Sequence, residues 1–221
     1  MDLKICTSCG QRMDVPVVPA DTPVIICPDC GHQQPFLRLP MFALTGPSGT
    51  GKSTIGRLLT RELESAVVVL EQDVLWTAGL RDPYNDFQLF RATWLRMVGM
   101  IHQSGRPVVL CGTVVPVQFE ECPERALIGP IHYLALTCAR DVMRARLRGR
   151  PAWREWDEPR INEMLEFNDW LRREAPTMEP PMRLLDTTNR TVEGTAGEVA
   201  AWIRKGLAEY SGLGDHGDHE D

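Results

Sequence analysis

No stretch of this sequence is apolar for the roughly 20 consecutive residues that a bilayer-spanning helix needs. The opening residues, MDLKICTSCG, lack the continuous apolar centre of a signal peptide. Together these absences point to a cytoplasmic protein, where thiols stay reduced. Positive charge is not in surplus either: 24 Lys and Arg stand against 30 Asp and Glu, a net charge of −6. That excludes a broad basic field for nucleic acid or anionic membrane. No internal repeat is visible. What remains is 221 residues, 43% hydrophobic and 24% charged, enough for one medium soluble domain with a small appendage.

Two units follow one another. Residues 1–40 hold four of the seven cysteines and few helix signals. From Met41 onward short apolar runs alternate with helical stretches. The expected strands are Phe42–Thr45, Ala66–Leu70, Pro107–Cys111, Ile131–Thr137 and Arg183–Leu185. Between them, helices are expected over Thr54–Leu63, Asp86–Ser104, Arg140–Gly149, Glu158–Glu174 and Val192–Glu209. In the second of these, Phe87, Phe90, Trp94, Val98 and Ile101 recur at steps of three and four and make one buried stripe. In the last, Thr191 is placed to cap, and Val192, Ala196, Val199, Ile203 and Leu207 to be buried. Alternation of this kind predicts an α/β fold with a parallel sheet and right-handed crossovers. Residues 211–221 are acidic and Gly-rich and are expected to be disordered.

The segment from Gly46 to Thr54, GPSGTGKST, matches G-x-x-x-x-G-K-[ST] in full, after an apolar strand and at the start of a helix. The chemistry requires these residue types. Glycine lets the backbone wrap tightly enough to aim several N–H groups at phosphate oxygens. The helix start adds positive partial charge. Gly46, Ser48, Gly49, Thr50, Gly51, Lys52, Ser53 and Thr54 are therefore the expected ligands of ATP or GTP, with Lys52 bridging the outer phosphates and the Ser53 hydroxyl on magnesium.

In a parallel sheet, loops at the carboxyl ends of strands line the ligand crevice. Leu70-Glu71-Gln72-Asp73 is such a loop. Glu71 is expected on the magnesium side and Asp73 on the acceptor side, where it takes a proton from an attacking hydroxyl. The third strand ends in Cys111-Gly112-Thr113 without the acidic residue that many P-loop ATPases carry there. That counts against a mechanical ATPase or a GTPase-type switch. Gly112 is expected to let a substrate or phosphate approach the backbone. Six arginines then fall between Arg140 and Arg154. Arginines on a closing lid neutralise charge during phosphoryl transfer and shut out water. Arg146, Arg150 and Arg154 are the candidates, Arg150 first because Gly149 and Pro151 flank it. After the last strand, Thr187 and Thr188 of Asp186-Thr-Thr-Asn189 are placed to border the nucleobase. Trp76 and Tyr84 follow the acidic pair and are placed to flank an acceptor, whereas Cys111, Cys122 and Cys138 read as core.

Cys6-x-x-Cys9, seventeen residues, then Cys27-x-x-Cys30 has the spacing of a four-thiolate structural zinc site. Gly10 and Gly31 directly follow the two pairs and permit tight knuckles. About forty residues need such a staple to fold. The segment carries Lys4, Arg12 and Arg38 against Asp2, Asp14, Asp21 and Asp29, so nucleic-acid contact through it is weakly supported, and a protein-docking or lid-supporting role is equally open.

Taken together, Gly46–Thr54, Glu71-x-Asp73, Cys111-Gly112, the arginine-rich stretch to Arg150-Pro151, and Leu185-Asp-Thr-Thr resemble the small P-loop kinases: shikimate, gluconate and nucleoside monophosphate kinases and chloramphenicol phosphotransferase. Bacterial proteins labelled as ATPases or nucleoside kinases carry a similar Arg150-Pro-Ala-Trp-Arg154 lid. The resemblance implies a three-layer α/β/α P-loop NTPase fold with a five-stranded parallel sheet in the order 2-3-1-4-5. Here a zinc ribbon over residues 1–40 would precede a kinase-like unit over 41–210, with a lid at about 140–175. It also implies magnesium-dependent transfer of the γ-phosphate to a nucleoside, nucleotide, sugar acid or antibiotic. The sequence departs from shikimate kinase in having Glu71 where Asp is usual, and its acceptor-binding arginines and glycines are not evident. The alternative from another class is a nucleotide-dependent regulatory module whose ribbon recruits a protein or nucleic-acid partner.

Overall fold

A computed structural model of the chain describes residues 3–14, 17–77 and 79–214, the last three without their side chains. The zinc-ribbon segment carries a two-stranded antiparallel sheet, β1 (Val24–Ile26) with β2 (Gln33–Pro35), in which Ile25 faces Gln34. Isolated bridges Ile5–Arg12 and Val17–Ile26 complete this short scaffold.

The remaining strands are β3 (Met41–Thr45), β4 (Val68–Glu71), β5 (Val108–Cys111), β6 (Ile131–Thr137) and β7 (Arg183–Asp186). They form one parallel sheet in the order β4-β5-β3-β6-β7, which is 2-3-1-4-5 when these five are numbered alone. Among the described residues six α-helices accompany them: α1 (Lys52–Glu62), α2 (Gln88–His102), α3 (Pro116–Glu120), α4 (Arg140–Arg148), α5 (Glu158–Glu174) and α6 (Val192–Gly214).

Side chains alternate across a strand, so each strand feeds two cores. Phe42, Leu44, Val109, Cys111, Leu134 and Leu136 pack with Ile55 and Leu59 of α1 and with Ala196, Val199 and Ile203 of α6. Met41, Ala43, Val108, Leu110, Tyr133 and Ala135 face the other way, onto Phe90, Trp94, Leu95 and Val98 of α2. Leu3, Cys6, Met13, Ile25, Cys27 and Phe36 of the ribbon join this second core. A third, smaller cluster (Cys138, Met143, Leu147, Ile161 and Leu165) binds α4 to α5.

Two expectations need correction. Val192, the first residue of α6, is 42% exposed and Leu207 is only partly buried, whereas Ala196, Val199 and Ile203 are buried as expected. The disordered tail was expected from Ser211, but α6 continues to Gly214; the remainder of that tail lies outside the described residues. The Thr191 cap is present, with Gly194 N donating to Thr191 Oγ1 at 3.0 Å. Among the described residues no helix is long and apolar enough to cross a membrane.

Candidate functional site

The loop between β3 and α1 is a backbone cradle. Gly46, Gly49 and Gly51 hold φ of 133°, 94° and 100°, values that a side chain resists. At Gly46 a Cβ would lie 2.3 Å from the carbonyl oxygen of Leu136, and at Gly49 it would press on Leu147 and Met143. Thr50 is buried and donates to Pro47 O at 2.9 Å, so its side chain braces the loop from within. Lys52 folds back over the loop and donates to the carbonyls of Gly46 and Pro47. Burial of its ammonium lowers its pKa to about 8, although the charges of Asp73 and Glu71 pull the other way. An ammonium in this state lacks an anion, and a polyphosphate supplies one.

The carboxyl end of β4 delivers both acidic residues of the pair. Ser53 Oγ donates to Glu71 Oε2 at 3.2 Å, which joins the two expected magnesium groups directly. Asp73 follows in a 3₁₀ turn over Gln72–Leu75 and is exposed to the same crevice. Gln72, between them, is buried, and its Oε1 accepts from Thr113 N at 2.8 Å. Its side chain occupies the space over Gly112, where a Cβ would meet it at 2.3 Å. The expectation that a substrate or phosphate approaches the backbone of Gly112 is corrected: the glycine is needed for Gln72.

The six arginines between Arg140 and Arg154 divide sharply. Arg140 pairs with Asp169, and Arg144 and Arg148 both pair with Glu158. Arg146, Arg150 and Arg154 make no ion pair among the described residues. Arg150 lies over the Trp156 ring at 5.3 Å, and Arg154 over Trp153 at 5.0 Å. Burial, then the neighbouring Arg154 charge, lowers the Arg150 pKa. Arg146 donates to Gly49 O at 3.4 Å and to Thr187 O at 3.2 Å, tying α4 to the glycine loop.

These groups converge on one crevice of about 980 Å³, lined by Gly51, Lys52, Ser53, Glu71, Asp73, Arg150 and Arg154 among others. A smaller cavity of about 290 Å³, bordered by Thr54, Arg146, Thr187 and Arg190, opens on the other side of Gly51. Thr187, which borders this smaller cavity, is buried, and its hydroxyl donates to Thr137 O at 3.0 Å. Thr188 lines neither cavity; its hydroxyl donates to Asp186 and accepts from Ala139 N. Trp76 lines the larger crevice, but Tyr84 is fully exposed and does not.

Besides the role of Gln72, a further residue escaped the sequence reading. Arg91 of α2 is 6% exposed and lines the crevice, paired with Asp86 at 2.9 Å. Its Nε has no hydrogen-bond partner, a costly condition for a buried guanidinium. The sequence signal was its place one residue after Phe90 of the buried stripe.

In the ribbon, the four sulfurs lie within 4.8 Å of one another, with Cys6–Cys30 and Cys9–Cys27 both at 3.7 Å. A disulfide needs about 2.05 Å. A tetrahedron of thiolates around zinc at about 2.3 Å has edges of about 3.8 Å, which the thiols match. Gly10 and Gly31, at φ of 75° and 70°, donate to Cys6 O and Cys27 O and close the two knuckles. His32 is engaged by Thr7 Oγ1 at 3.1 Å and is not part of the cluster.

No family model matches the chain. Among solved structures it is similar to a gluconokinase from Sinorhizobium meliloti 1021 (TM-score 0.53, 20% identity, 80% of this chain and 98% of that one). It is also similar to the Deinococcus radiodurans tunicamycin resistance protein (TM-score 0.54, 17% identity, 75% and 96%). At such identities the likeness concerns the fold. In sequence it is 31% identical over 153 residues to shikimate kinase of Pseudomonas syringae pv. tomato, covering 64% of this chain and 89% of that one. The chain therefore belongs to the shikimate kinase family of small P-loop kinases.

Proposed function

We propose that the protein transfers the γ-phosphate of ATP, or of GTP, to the hydroxyl of a small molecule of the nucleoside, nucleotide, sugar-acid or antibiotic kind. The observation that carries this reading is the meeting of Lys52, Ser53–Glu71, Asp73 and two unpaired lid arginines in one crevice, with further room beyond Asp73. The loop amides hold the triphosphate, and Lys52 moves from the loop carbonyls to its outer oxygens. Ser53 and Glu71 would hold magnesium, which neutralises the outer phosphates when bound. Asp73 takes the proton of the attacking hydroxyl. Arg150 and Arg154 stabilise the charge on the transferring group, and Arg146 holds the lid to Gly49.

Zinc on the four thiolates is structural in this reading, because no ligand position is left open. Residues 1–40 form the stapled unit, 41–210 the kinase unit, and about 140–175 its lid. The kinase relatives support a cytoplasmic setting.

The test is a screen of γ-labelled ATP against pooled nucleosides, nucleotides, sugar acids, antibiotics and oligonucleotides. A labelled small product supports the reading; release of inorganic phosphate alone, stimulated by a partner protein, overturns it. In the productive pool, Asp73→Asn retains ATP binding and slows transfer by about 10²-fold or more. Unchanged transfer removes Asp73 from the mechanism.

A further inference from the structure

The room beyond Asp73 is walled by flat rings. Trp76 meets Phe87 at 5.2 Å and Phe90 at 5.1 Å between ring centroids. Arg81 lies over the Trp76 ring at 5.3 Å and fixes the indole in place. From the lid, Trp153 lines the same crevice. Trp76 and Trp153 are 44% and 75% exposed, although both are large enough to be core residues. Single exposed hydrophobes are ordinary, but two indoles from separate chain segments lining one cavity mark a binding surface.

Hydrogen-bonding groups are sparse on this side. Asp86 and Arg91 engage each other, and Asp73 is assigned to the reacting hydroxyl. Gln118, Glu163 and the Thr113 hydroxyl remain, and Arg160 donates to the carbonyls of Arg154 and Glu155. A polyhydroxylated acid needs a partner for each buried polar atom, and rings supply none. A site of this size suits a drug-sized ligand beside a triphosphate, and a small polar acid would leave the aromatic walls wet.

We infer that the acceptor carries a flat aromatic or heteroaromatic ring, seated on Trp76 and Phe90 and covered by Trp153, with its reacting hydroxyl on an arm that reaches Asp73. This rests on the kinase reading above. In the transfer, the arm's oxygen bonds to the γ-phosphorus and the bond from that phosphorus to the β–γ bridging oxygen breaks. The electron pair leaves on ADP, and the hydroxyl proton passes to the Asp73 carboxylate. Nucleosides and aryl antibiotics share this ring-and-arm chemistry.

The experiment uses the full, zinc-loaded chain with magnesium and ATP. Adenosine, uridine and chloramphenicol are the ring-bearing probes; shikimate and gluconate are the polar ones. ADP release and the phosphorylated product, seen by phosphorus NMR, are the readouts, and ATP binding is measured separately by calorimetry. At least one ring-bearing probe is expected to raise ADP release about tenfold or more and to yield a phosphomonoester. Which probe does so separates a nucleoside from an antibiotic. Trp76→Ala then raises the KM for that probe by about tenfold, Trp76→Phe restores it, and the affinity for ATP stays within about twofold. Phosphorylation of shikimate or gluconate in preference to the ring-bearing probes overturns the inference and leaves the kinase reading standing. ATP binding with no ring-bearing probe phosphorylated, or an unchanged KM in Trp76→Ala, also overturns it. Failure to bind ATP at all removes the kinase reading itself.

Discussion

Raising the pH from 7 to 9 should weaken ATP binding about tenfold, through Lys52 alone. In the nucleotide-free protein burial holds this ammonium at a pKa of about 8, against an ordinary 10.5. A polyphosphate binds the charged form and returns the pKa toward or above its ordinary value. Affinity is therefore full below pH 8 and falls as pH rises through it. At pH 9 about one molecule in eleven still carries the proton, which costs about 1.4 kcal/mol of binding. The phosphate's own second ionisation, near pH 6, is complete over the upper part of this range. Titration calorimetry in buffers of differing ionisation enthalpy reads both the affinity and the proton taken up, expected to approach one per ATP at pH 9. Lys52→Arg stays charged throughout and should show a flat profile. An affinity independent of pH between 7.5 and 9, with no proton uptake, would refute the assignment of Lys52 as a desolvated phosphate ligand. The same burial works against the empty protein: below pH 8 the folded chain holds an ammonium that the unfolded chain would solvate. Lys52→Met should therefore abolish ATP binding without lowering the melting temperature.

Three further outcomes are expected. Gly46→Ala forces a side chain into a φ of 133° and against Leu136 O, so ATP binding is lost and stability falls by about 1–3 kcal/mol, read by calorimetry and urea unfolding. His102 is fully buried with neither ring nitrogen bonded, and burial lowers its pKa to about 4. The unfolded chain gains the proton first as pH falls below about 6.5, so stability drops by about 2 kcal/mol between pH 7 and pH 5, and His102→Leu should remove that component. Chelation of zinc should lower the melting temperature by about 10 °C or more; a melting curve indifferent to chelator would exclude the metal from the fold.

The sheet was legible because each strand is a short apolar run between turn signals. Ile131–Thr137 and Glu158–Glu174 match the expected spans, and the other boundaries moved by a few residues. The second strand starts at Val68 because Ala66 is held in a turn by Leu63 O. The cradle and the thiol cluster were legible because their residues are contiguous or evenly spaced. Beyond Asp73 only Trp76 was legible, since Phe90, Arg91 and Trp153 join it only when β4, α2 and the segment after α4 are placed. Nor does composition reveal which arginines are already spent on carboxylates: Glu158 neutralises Arg144 and Arg148 from the next helix. Gln72 and Arg91 were missed for the same reason, since their roles depend on Thr113 and Asp86 and not on local pattern.

Helix α2 has a hand on each end. Near its start Phe90 and Arg91 face the crevice. Near its finish Gln103, its C-cap, donates to Leu37 O and accepts from Leu37 N, each at 2.9 Å, and Leu3 packs over Gly99. Twelve residues separate Arg91 from Gln103, a rigid rod of about 18 Å. The thiol-bound segment and the crevice therefore share one helix as a common wall, whereas the loop at Gly46 is carried by β3.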